Sequence, residues 1–437
     1  LLPPSYEELV PENHPVRVVN EVIERIDIRE LERTYKGGGT SSYHPRMLLK
    51  VLVYAYLRNM YSSRKVEEAL KENVHFMWLS GGAKPDHNTI NDFRGKRLGE
   101  HLKKIFNQVV VLLAEQGAIT LKEIVLDGTK IEANANRYTF VWGKAIRTSR
   151  ERIETQLREL WKYVEEVYQD EEQRPNTPEF ASIDAAAVRR TIDDINEALK
   201  AKGGEKEIDP KVRQKLGYAK KNWPDKLAEY DEREKQMAGR NSLSKTDPDA
   251  TFMKMKEDHM LNGQLKPGYN VQASTEKQYI VDYTLGQTTT DTTLMKGHID
   301  DFIASYGHAP ESLTADAGYG SEENYLYLEE HGITPYVKYG YFDREQTEEK
   351  NKHRKNHKQK NPFHADKLPY NEQTDTYTCP MGQQMRCIGN KSRRTKTGHL
   401  QTYRRYKAQN CEGCPLRGPC HRSSGDRIIE RSAHLIR

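Results

Sequence analysis

Asp127 closes a run of three apolar residues, Ile124-Val125-Leu126, and is followed by Gly128-Thr129-Lys130. Asp316 stands in the same relation to Ser312–Ala315 and leads into Ala317-Gly318-Tyr319-Gly320. An aspartate at the end of a buried strand points into the crevice where open α/β sheets bind ligands. Two of them on neighbouring strands would offer the oxygen donors that hard cations such as Mg²⁺ take. Metals held about 3.5–4 Å apart activate a water or 3′-hydroxyl and stabilise the leaving oxygen of an in-line phosphoryl displacement. Taken singly, an Asp-Gly pair more often caps a turn.

Neighbouring side chains extend this candidate site. If Lys130 shares one extended strand with Asp127, it points to the opposite face, away from a metal, and is a candidate contact for a DNA phosphate. Tyr319 lies in a glycine-flanked turn beside Asp316, where it could stack on a flipped base or pack the loop. Asn270 and Gln272 share one face of a later strand, which suits either a DNA contact or an ordinary polar hairpin surface.

A second chemistry is written in the cysteines. Cys379 opens Cys-Pro-Met-Gly, and Cys411-x₂-Cys414-Pro-x₄-Cys420-His421 follows; none lies earlier in the chain. Two thiolates two residues apart have the bite of a zinc knuckle. Cys379 and Cys420 complete a Cys₄ set, and His421 could replace Cys420. Such a closed set leaves no open position, so its Zn²⁺ would be structural, pinning a basic and weakly cored segment. Free thiols are the competing reading, and Cys387 is left over.

Charge is segregated along the chain. Lys and Arg total 69 against 64 Asp and Glu, for a net charge of only +5. Asn351–Lys360 and Lys391–Lys407 are nevertheless rich in Lys and Arg and contain no acid, and Tyr403 and Tyr406 interleave the second. Basic blocks with aromatic residues suit a polyphosphate partner, because cations displace counterions and rings stack on bases. Arg393, Arg394, Arg404 and Arg405 are the candidate DNA-binding residues there. A solvated loop is the plainer alternative. No apolar run is long enough to span a bilayer, and no basic-then-apolar leader is visible, so a cytoplasmic protein is expected.

The elements that must position these residues are readable in outline. Residues 1–117 read as helical. Pro45 opens an apolar helix. Ser62 or Ser63 caps a second, with Val66, Ala69, Leu70, Val74 and Met77 on one face and Gly81-Gly82 at its end. Asp86 caps a third, striped by Ile90, Phe93, Leu98, Leu102, Ile105, Val109 and Leu112. The pairs fit a helix-turn-helix-like unit or a plain bundle. Residues 118–143 and 243–345 carry strand signals: one ending at Asp127, a hairpin of Gly268–Ala273 and Tyr279–Leu285, one before Asp316, and Ile333–Tyr339. Helices are expected at Thr292–Tyr306 and after Ser321, the latter ended by Gly332. Residues 144–242 are charged and heptad-like, with stripes Ile153, Leu157, Leu160, Val164, Val167 and Val188, Ile192, Ile195, Leu199, and read as two or three helices inserted into one α/β domain. Residues 346–437 read as a basic Cys-rich segment, irregular up to the cysteines.

The order of motifs is more specific than any one of them. Tyr43-His44-Pro45, Pro85-Asp86-His87-Asn88-Thr89-Ile90 with Phe93-Arg94, Leu126–Ile131, the charged insertion, Lys266–Gln272 and Thr314–Ser321 occur in sequence. The arrangement resembles bacterial insertion-sequence transposases of the IS1182 group, within the IS4-like DDE class, over nearly the whole chain. The resemblance implies an RNase H-like catalytic core with a helical insertion. An all-α N-terminal domain would precede it and a zinc-ribbon-like segment would follow. It also implies Mg²⁺- or Mn²⁺-dependent cutting and joining of double-stranded DNA by an oligomer on paired transposon ends. Asp127 would be the first acid and Asp316 the second. The third acid of the group is a glutamate on a late helix, for which no match occurs before Arg437. Glu430 is the substitute candidate, and a chain truncated at its C-terminus is expected. A catalytically impaired DNA-binding remnant is the alternative function, and a metal-dependent nuclease of another kind shares the aspartates.

Overall fold

A computed structural model describes residues 4–35, 42–168, 184–203, 209–255, 263–339, 363–395 and 397–432. Helices α1 (Tyr6–Leu9), α2 (Pro15–Arg25), α3 (Arg29–Glu32), α4 (Pro45–Leu57), α5 (Ser63–Glu72), α6 (Val74–Ser80), α7 (His87–Asp92) and α8 (Leu102–Glu115) come first. Proline at the first turn of α2 and α4 has no N–H to leave unpaired. In both, the preceding histidine (His14, His44) accepts the next free backbone N–H on its Nδ1. The apolar run of α4 buries Leu48, Leu49, Val51, Leu52, Tyr54 and Ala55 in one core with α2, α5 and α6.

Two expected helices are broken. The second divides at Asn73, whose side chain accepts from His75 N (2.9 Å) and starts α6 afresh. The third begins as expected, with Asp86 Oδ1 accepting from Thr89 N (2.7 Å). It then widens into a π turn over Phe93–Arg97, and α8 starts only at Leu102. Gly95 and Gly99 fall in this stretch, and glycine is a weak helix former.

The central sheet contains β1 (Glu123–Glu132), β4 (Thr251–Lys254), β5 (Leu265–Glu276), β6 (Tyr279–Gly286), β7 (Ser312–Ala315) and β8 (Thr334–Val337). β5 runs antiparallel to β1 on one edge and to β4 and β6 on the other; β1, β7 and β8 are parallel. The β5–β6 hairpin is longer than expected, and only Lys277 and Gln278 turn it, both at positive φ (48° and 71°). Such angles match a two-residue hairpin turn and the right-handed twist of its strands. The buried Glu276 carboxylate accepts from Thr120 N (2.8 Å) and Leu121 N (2.6 Å), fixing where β1 begins.

Helices α12 (Met295–Tyr306) and α13 (Glu322–Glu330), with the end of α8, cover one face of this sheet. Ile124, Leu126, Val281, Leu313 and Ala315 pack beneath them. The other face is open: Val125 and Tyr336 are 49% and 63% exposed. α8 joins both cores, with Ile105 in the first and Val110 in the second. Lys103 of the same helix ties the fold further, pairing with the buried Asp282 on β6 and with Asp301 on α12 (2.9 Å).

Beside this pair lies a buried histidine. His298 offers its two ring nitrogens to Ser274 Oγ (2.6 Å) and Thr284 Oγ1 (2.9 Å). Burial depresses its imidazole to about 4, and the Lys103 charge adds to the effect. A folded pKa below the ordinary 6.5 means that the folded state binds fewer protons in that interval. The stabilisation from the neutral ring is present above pH 6.5 and is lost as the pH falls through about 4. Asp282 acts in the opposite sense. Burial raises its carboxyl to about 6, so its contribution is present below 3.8 and is lost as the pH rises through 6. Comparing wild type with His298→Gln by urea unfolding isolates the first term. Wild type should lose ground to the variant steadily from pH 7 to pH 4. A gap independent of pH would show that the ring does not enter the fold neutral.

The insertion is a bundle of α9 (Gly143–Val167), α10 (Ala185–Gly203) and α11 (Pro210–Met237). Both expected stripes meet in its core, joined by Leu216, Ala219, Trp223 and Leu227 of α11; Val167 is partly buried. The short antiparallel strands β2 (Phe140–Trp142) and β3 (Ser242–Ser244) pair at its base.

The Cys-rich stretch departs from expectation. It forms a five-stranded antiparallel sheet of β9 (Tyr370–Asn371), β10 (Thr376–Thr378), β11 (Gln384–Arg394), β12 (Leu400–Lys407) and β13 (Ile428–Ser432). Its core contains Leu368, Tyr377, Met385, Tyr406, Ala408, Cys411 and Ile429. The zinc-ribbon expectation is corrected: among the described residues no three or more His, Cys, Asp or Glu side chains, Cys379, Cys411, Cys414 and Cys420 included, form a group that could hold a metal, and an apolar core organises this sheet. The basic block at 351–360 lies outside the described residues. No helix among the described residues is long and apolar enough to cross a membrane.

Candidate active site

The parallel ladder between β1 and β7 pairs Val125 with Thr314 and Leu126 with Ala315. One step further along the same register, Asp127 and Asp316 stand at one level on adjacent strands; Asp316 directly follows the end of β7, whereas β1, expected to end at Asp127, runs on to Glu132 in its pairing with β5. Strands in a sheet lie about 4.8 Å apart. Both residues alternate away from the covered face and are exposed. Asp127 Oδ1 accepts from Gly128 N (2.8 Å), and Asp316 Oδ1 from Gly318 N (2.9 Å). These are the two carboxylates that the sequence put forward.

A third carboxylate approaches from the covered face. Asp291, in the turn before α12, accepts on Oδ1 from Asn270 Nδ2 (2.7 Å) and Gln272 Nε2 (3.2 Å). Two glycines leave room for it. A Cβ on Gly128 would stand 2.6 Å from Asp291 Oδ1, far inside contact distance. A Cβ on Gly318 would stand 2.9 Å from Asp316 Oδ1 and 3.7 Å from Asp291 Oδ2. The carboxylates of Asp291 and Asp316 therefore flank the same glycine. Asn324, buried at the start of α13, fixes the two loops by donating to Thr292 O (2.9 Å) and Tyr319 O (2.8 Å).

Several expected contacts change role. Tyr319 is 1% exposed, and its hydroxyl donates to Gln272 Oε1, so no ring face is free for a base. Burial, with Asp291, Asp127 and Asp316 nearby, raises its pKa and keeps the phenol protonated. Asn270 and Gln272 are wholly buried and hold Asp291, which removes them as DNA contacts. Lys130 pairs with Asn270 across β1 and β5, on the strand face opposite Asp127 as expected. Glu430 lies on β13 and is engaged by Lys391 (3.2 Å), Arg393 (2.8 Å) and Arg405 (3.7 Å).

The candidate DNA-binding arginines lie on the β11–β12 hairpin. Arg393 is exposed and stacks over Tyr403 (5.6 Å). Arg394 is exposed, and Arg404 pairs with Asp375 (2.9 Å). Tyr406, by contrast, is wholly buried and cannot stack on a base. The hairpin is anchored to the start of α13: Thr397 donates to Glu323, and His399 lies 3.7 Å from Glu322. Ser432 of β13 donates to Glu322 (2.8 Å). A cleft of about 220 Å³ separates the hairpin from the loops around Thr292 and Ser321. A second concavity, about 720 Å³, is lined by Val125, Thr314 and Tyr336; Val125 and Thr314 precede Asp127 and Asp316 by two residues on the same open face.

As they stand, no three or more His, Cys, Asp or Glu side chains among the described residues form a group that could hold a metal ion. The exposed aspartate pair nonetheless fits Mg²⁺, which is commonly bound by one or two carboxylates and completes its shell with water and substrate phosphate. Paired acids on adjacent strands, with a buried network behind them and a basic hairpin attached to α13, are an arrangement suited to metal-assisted phosphoryl transfer.

Comparison with known families agrees. Residues 4–96 match a family described as "Transposase domain (DUF772)", and residues 240–410 match "Transposase DDE domain". No curated protein and no solved structure matches the chain. The two matches stand in the order found in DDE transposases of the insertion-sequence kind, and a DDE domain implies an RNase H-like α/β core. Asp291 and Asp316 lie inside the DDE match; Asp127 precedes it.

Proposed function

We propose that the chain is an IS1182-type DNA transposase that cuts double-stranded DNA at transposon ends and joins the freed 3′ end to target DNA. The main support is the register that sets Asp127 beside Asp316, taken with the DDE match. These carboxylates would hold Mg²⁺ or Mn²⁺. Bound there, the cation supplies activation of the attacking oxygen and neutralisation of charge on the phosphate.

The chain's own groups do the remaining work. Asp291, fixed by Asn270 and Gln272, adds negative charge near Asp316 and ties the turn before α12 to β5. Tyr319 stays protonated and orients Gln272. Lys130, Arg393, Arg394, Arg404 and Arg405 offer charge to the DNA backbone. On one face of the hairpin Lys391, Arg393 and Arg405 share a single acid, so that face stays net positive. Work on two ends at once calls for an oligomer.

The test incubates the protein with labelled duplexes carrying the inverted repeats that flank its coding region, with Mg²⁺ or Mn²⁺. Nicks at the repeat ends followed by joined products are expected. Binding without nicking would mark a DNA-binding remnant. Cutting without joining would mark a nuclease of another kind, and absence of binding would overturn the reading.

A further inference from the structure

The β11–β12 hairpin reaches the Asp316 loop through contacts that begin at its tip. The tip is a fixed turn. Thr395 N donates to His399 O (2.9 Å), Gly398 N donates to Thr395 O (3.1 Å), and Thr395 Oγ1 lies 2.7 Å from Thr397 Oγ1. Gly398 takes a φ of 90°, which L side chains rarely adopt. Arg393 and Arg394 end β11 immediately before this turn. The Thr397 hydroxyl therefore stands only three residues beyond Arg394, one of the exposed cations offered to DNA.

Several elements meet at one side chain. Glu323 Oε2 accepts from Thr397 of the hairpin, and Oε1 accepts from Lys296 Nζ of α12 (3.0 Å). Burial opposes ionisation of this carboxyl, but the Thr397 hydroxyl and Lys296 outweigh it and hold the group below the ordinary carboxylate range. It is therefore charged near neutral pH. Glu323 is the second residue of α13 and Asn324 the third. Asn324 in turn holds the loops of Asp291 and Asp316 by the carbonyls of Thr292 and Tyr319. One residue earlier, Glu322 accepts from Ser432 Oγ (2.8 Å) and lies 3.7 Å from His399.

This junction sets a distance. The hairpin and the loops form the two walls of the cleft of about 220 Å³, lined by Thr292, Ser321, Thr395 and Gln401 among others. A DNA strand that touches Arg393 or Arg394 and also reaches Asp316 has to cross it. The width of the cleft then decides where a phosphate falls relative to the carboxylates. In-line attack needs reacting atoms about 3–3.5 Å apart, and a misplacement of about 1 Å costs about a hundredfold in rate.

We propose, on the transposase reading, that Glu323 is a positioning residue for strand cleavage. It joins Thr397 of the hairpin, Lys296 of α12 and the first turn of α13, and so sets DNA held on the hairpin in place over Asp316. Glu323 touches neither the phosphate nor a metal in this role. The anchoring group is a neutral hydroxyl, so docking consumes none of the hairpin's cations.

The test compares the full chain with Thr397→Val, Thr397→Ser and Glu323→Ala on duplexes carrying the flanking inverted repeats. Gel shift reads affinity, and single-turnover nicking with Mg²⁺ reads placement. Thr397→Val and Glu323→Ala should bind within about threefold of wild type yet nick about 10–100-fold more slowly. Thr397→Ser restores the hydroxyl and should recover the rate, which a general loss of stability would not allow. Thr397 is exposed, so urea unfolding should show both of its variants as stable as wild type. Hydrogen exchange at Gly318 and Tyr319 reads the same link without chemistry: DNA should slow it in wild type and not in Thr397→Val. Nicking at the wild-type rate in Thr397→Val and Glu323→Ala, or no recovery in Thr397→Ser, would overturn the proposal. If no protein of the series nicks, exchange decides: DNA protection of the loop retained in Thr397→Val overturns the proposal, and protection lost supports it. Absence of DNA binding by wild type overturns the transposase reading, and the proposal with it.

Discussion

Asp127→Asn and Asp316→Asn should each reduce metal-dependent nicking by about a thousandfold or more, while folding and DNA binding persist. The size follows from charge. Amide oxygens are weak ligands for a hard cation, and either substitution removes half of the anionic donors in the pair. Persistence of the fold follows from exposure and shape. Both side chains lie outside the core, and each accepts one nearby backbone N–H, from Gly128 or Gly318. An asparagine oxygen can accept the same bonds. Gel shift on end sequences, thermal unfolding and a nicking assay with Mg²⁺ and Mn²⁺ separate the three properties. Nicking at the wild-type rate by either variant would remove these residues from the site.

Asp291 should behave differently, because it serves the fold and the site together. Asp291→Ala strips the acceptor from the Asn270 and Gln272 amides, both wholly buried. An unpaired buried donor costs about 1–3 kcal/mol, so a loss of about 2–5 kcal/mol is expected from the pair. Asp291→Asn keeps an oxygen for those donors and removes the charge. It should be nearly as stable as wild type but nick about 10–100-fold more slowly, the scale seen when a group supporting a metal site is changed. Gly128→Ala approaches the same network from the strand and should destabilise it, since its Cβ would collide with Asp291 and Gln272. Urea unfolding together with single-turnover nicking reads both effects. If Asp291→Asn were as active as wild type, the carboxylate would be a purely structural acceptor.

The two aspartates were legible because each follows a short apolar run, a local pattern, although β1 continues past Asp127 to Glu132. The apolar runs before Asp127 and Asp316 needed no partner to be recognised, and the bundle stripes needed only helical spacing. Asp291 was not legible. It stands in a run of threonines that reads as a polar turn, and its partners Asn270 and Gln272 read as hairpin surface. Their burial depends on α12 and α13 closing over β5, which no local window contains. Gly128, a lone glycine inside a strand, was the available signal, since such a residue often marks a close approach. The C-terminal sheet was hidden for another reason. β11 and β12 carry so many cations that their alternation reads as a solvated stretch, and their ion pairs come from Glu430 and Asp375. The division of the second helix turned on Asn73, whose capping role shows only when its side chain turns back to the chain.

The β2–β3 ribbon has a consequence for assembly of the molecule. Pairing of Phe140 with Ser244 and Trp142 with Ser242 brings together the two ends of a segment of about a hundred residues. Gly143 N donating to Asn241 O (2.9 Å) closes it off. Once the bundle has folded on itself, β1 and β5 meet as if joined by a short loop, because the entropy of closure has already been met inside the bundle. The bundle should therefore tolerate shortening or exchange for another compact unit at that base. The protein is in this respect a scaffold with a replaceable cartridge, whose removal need not disturb the alignment of the strands it interrupts.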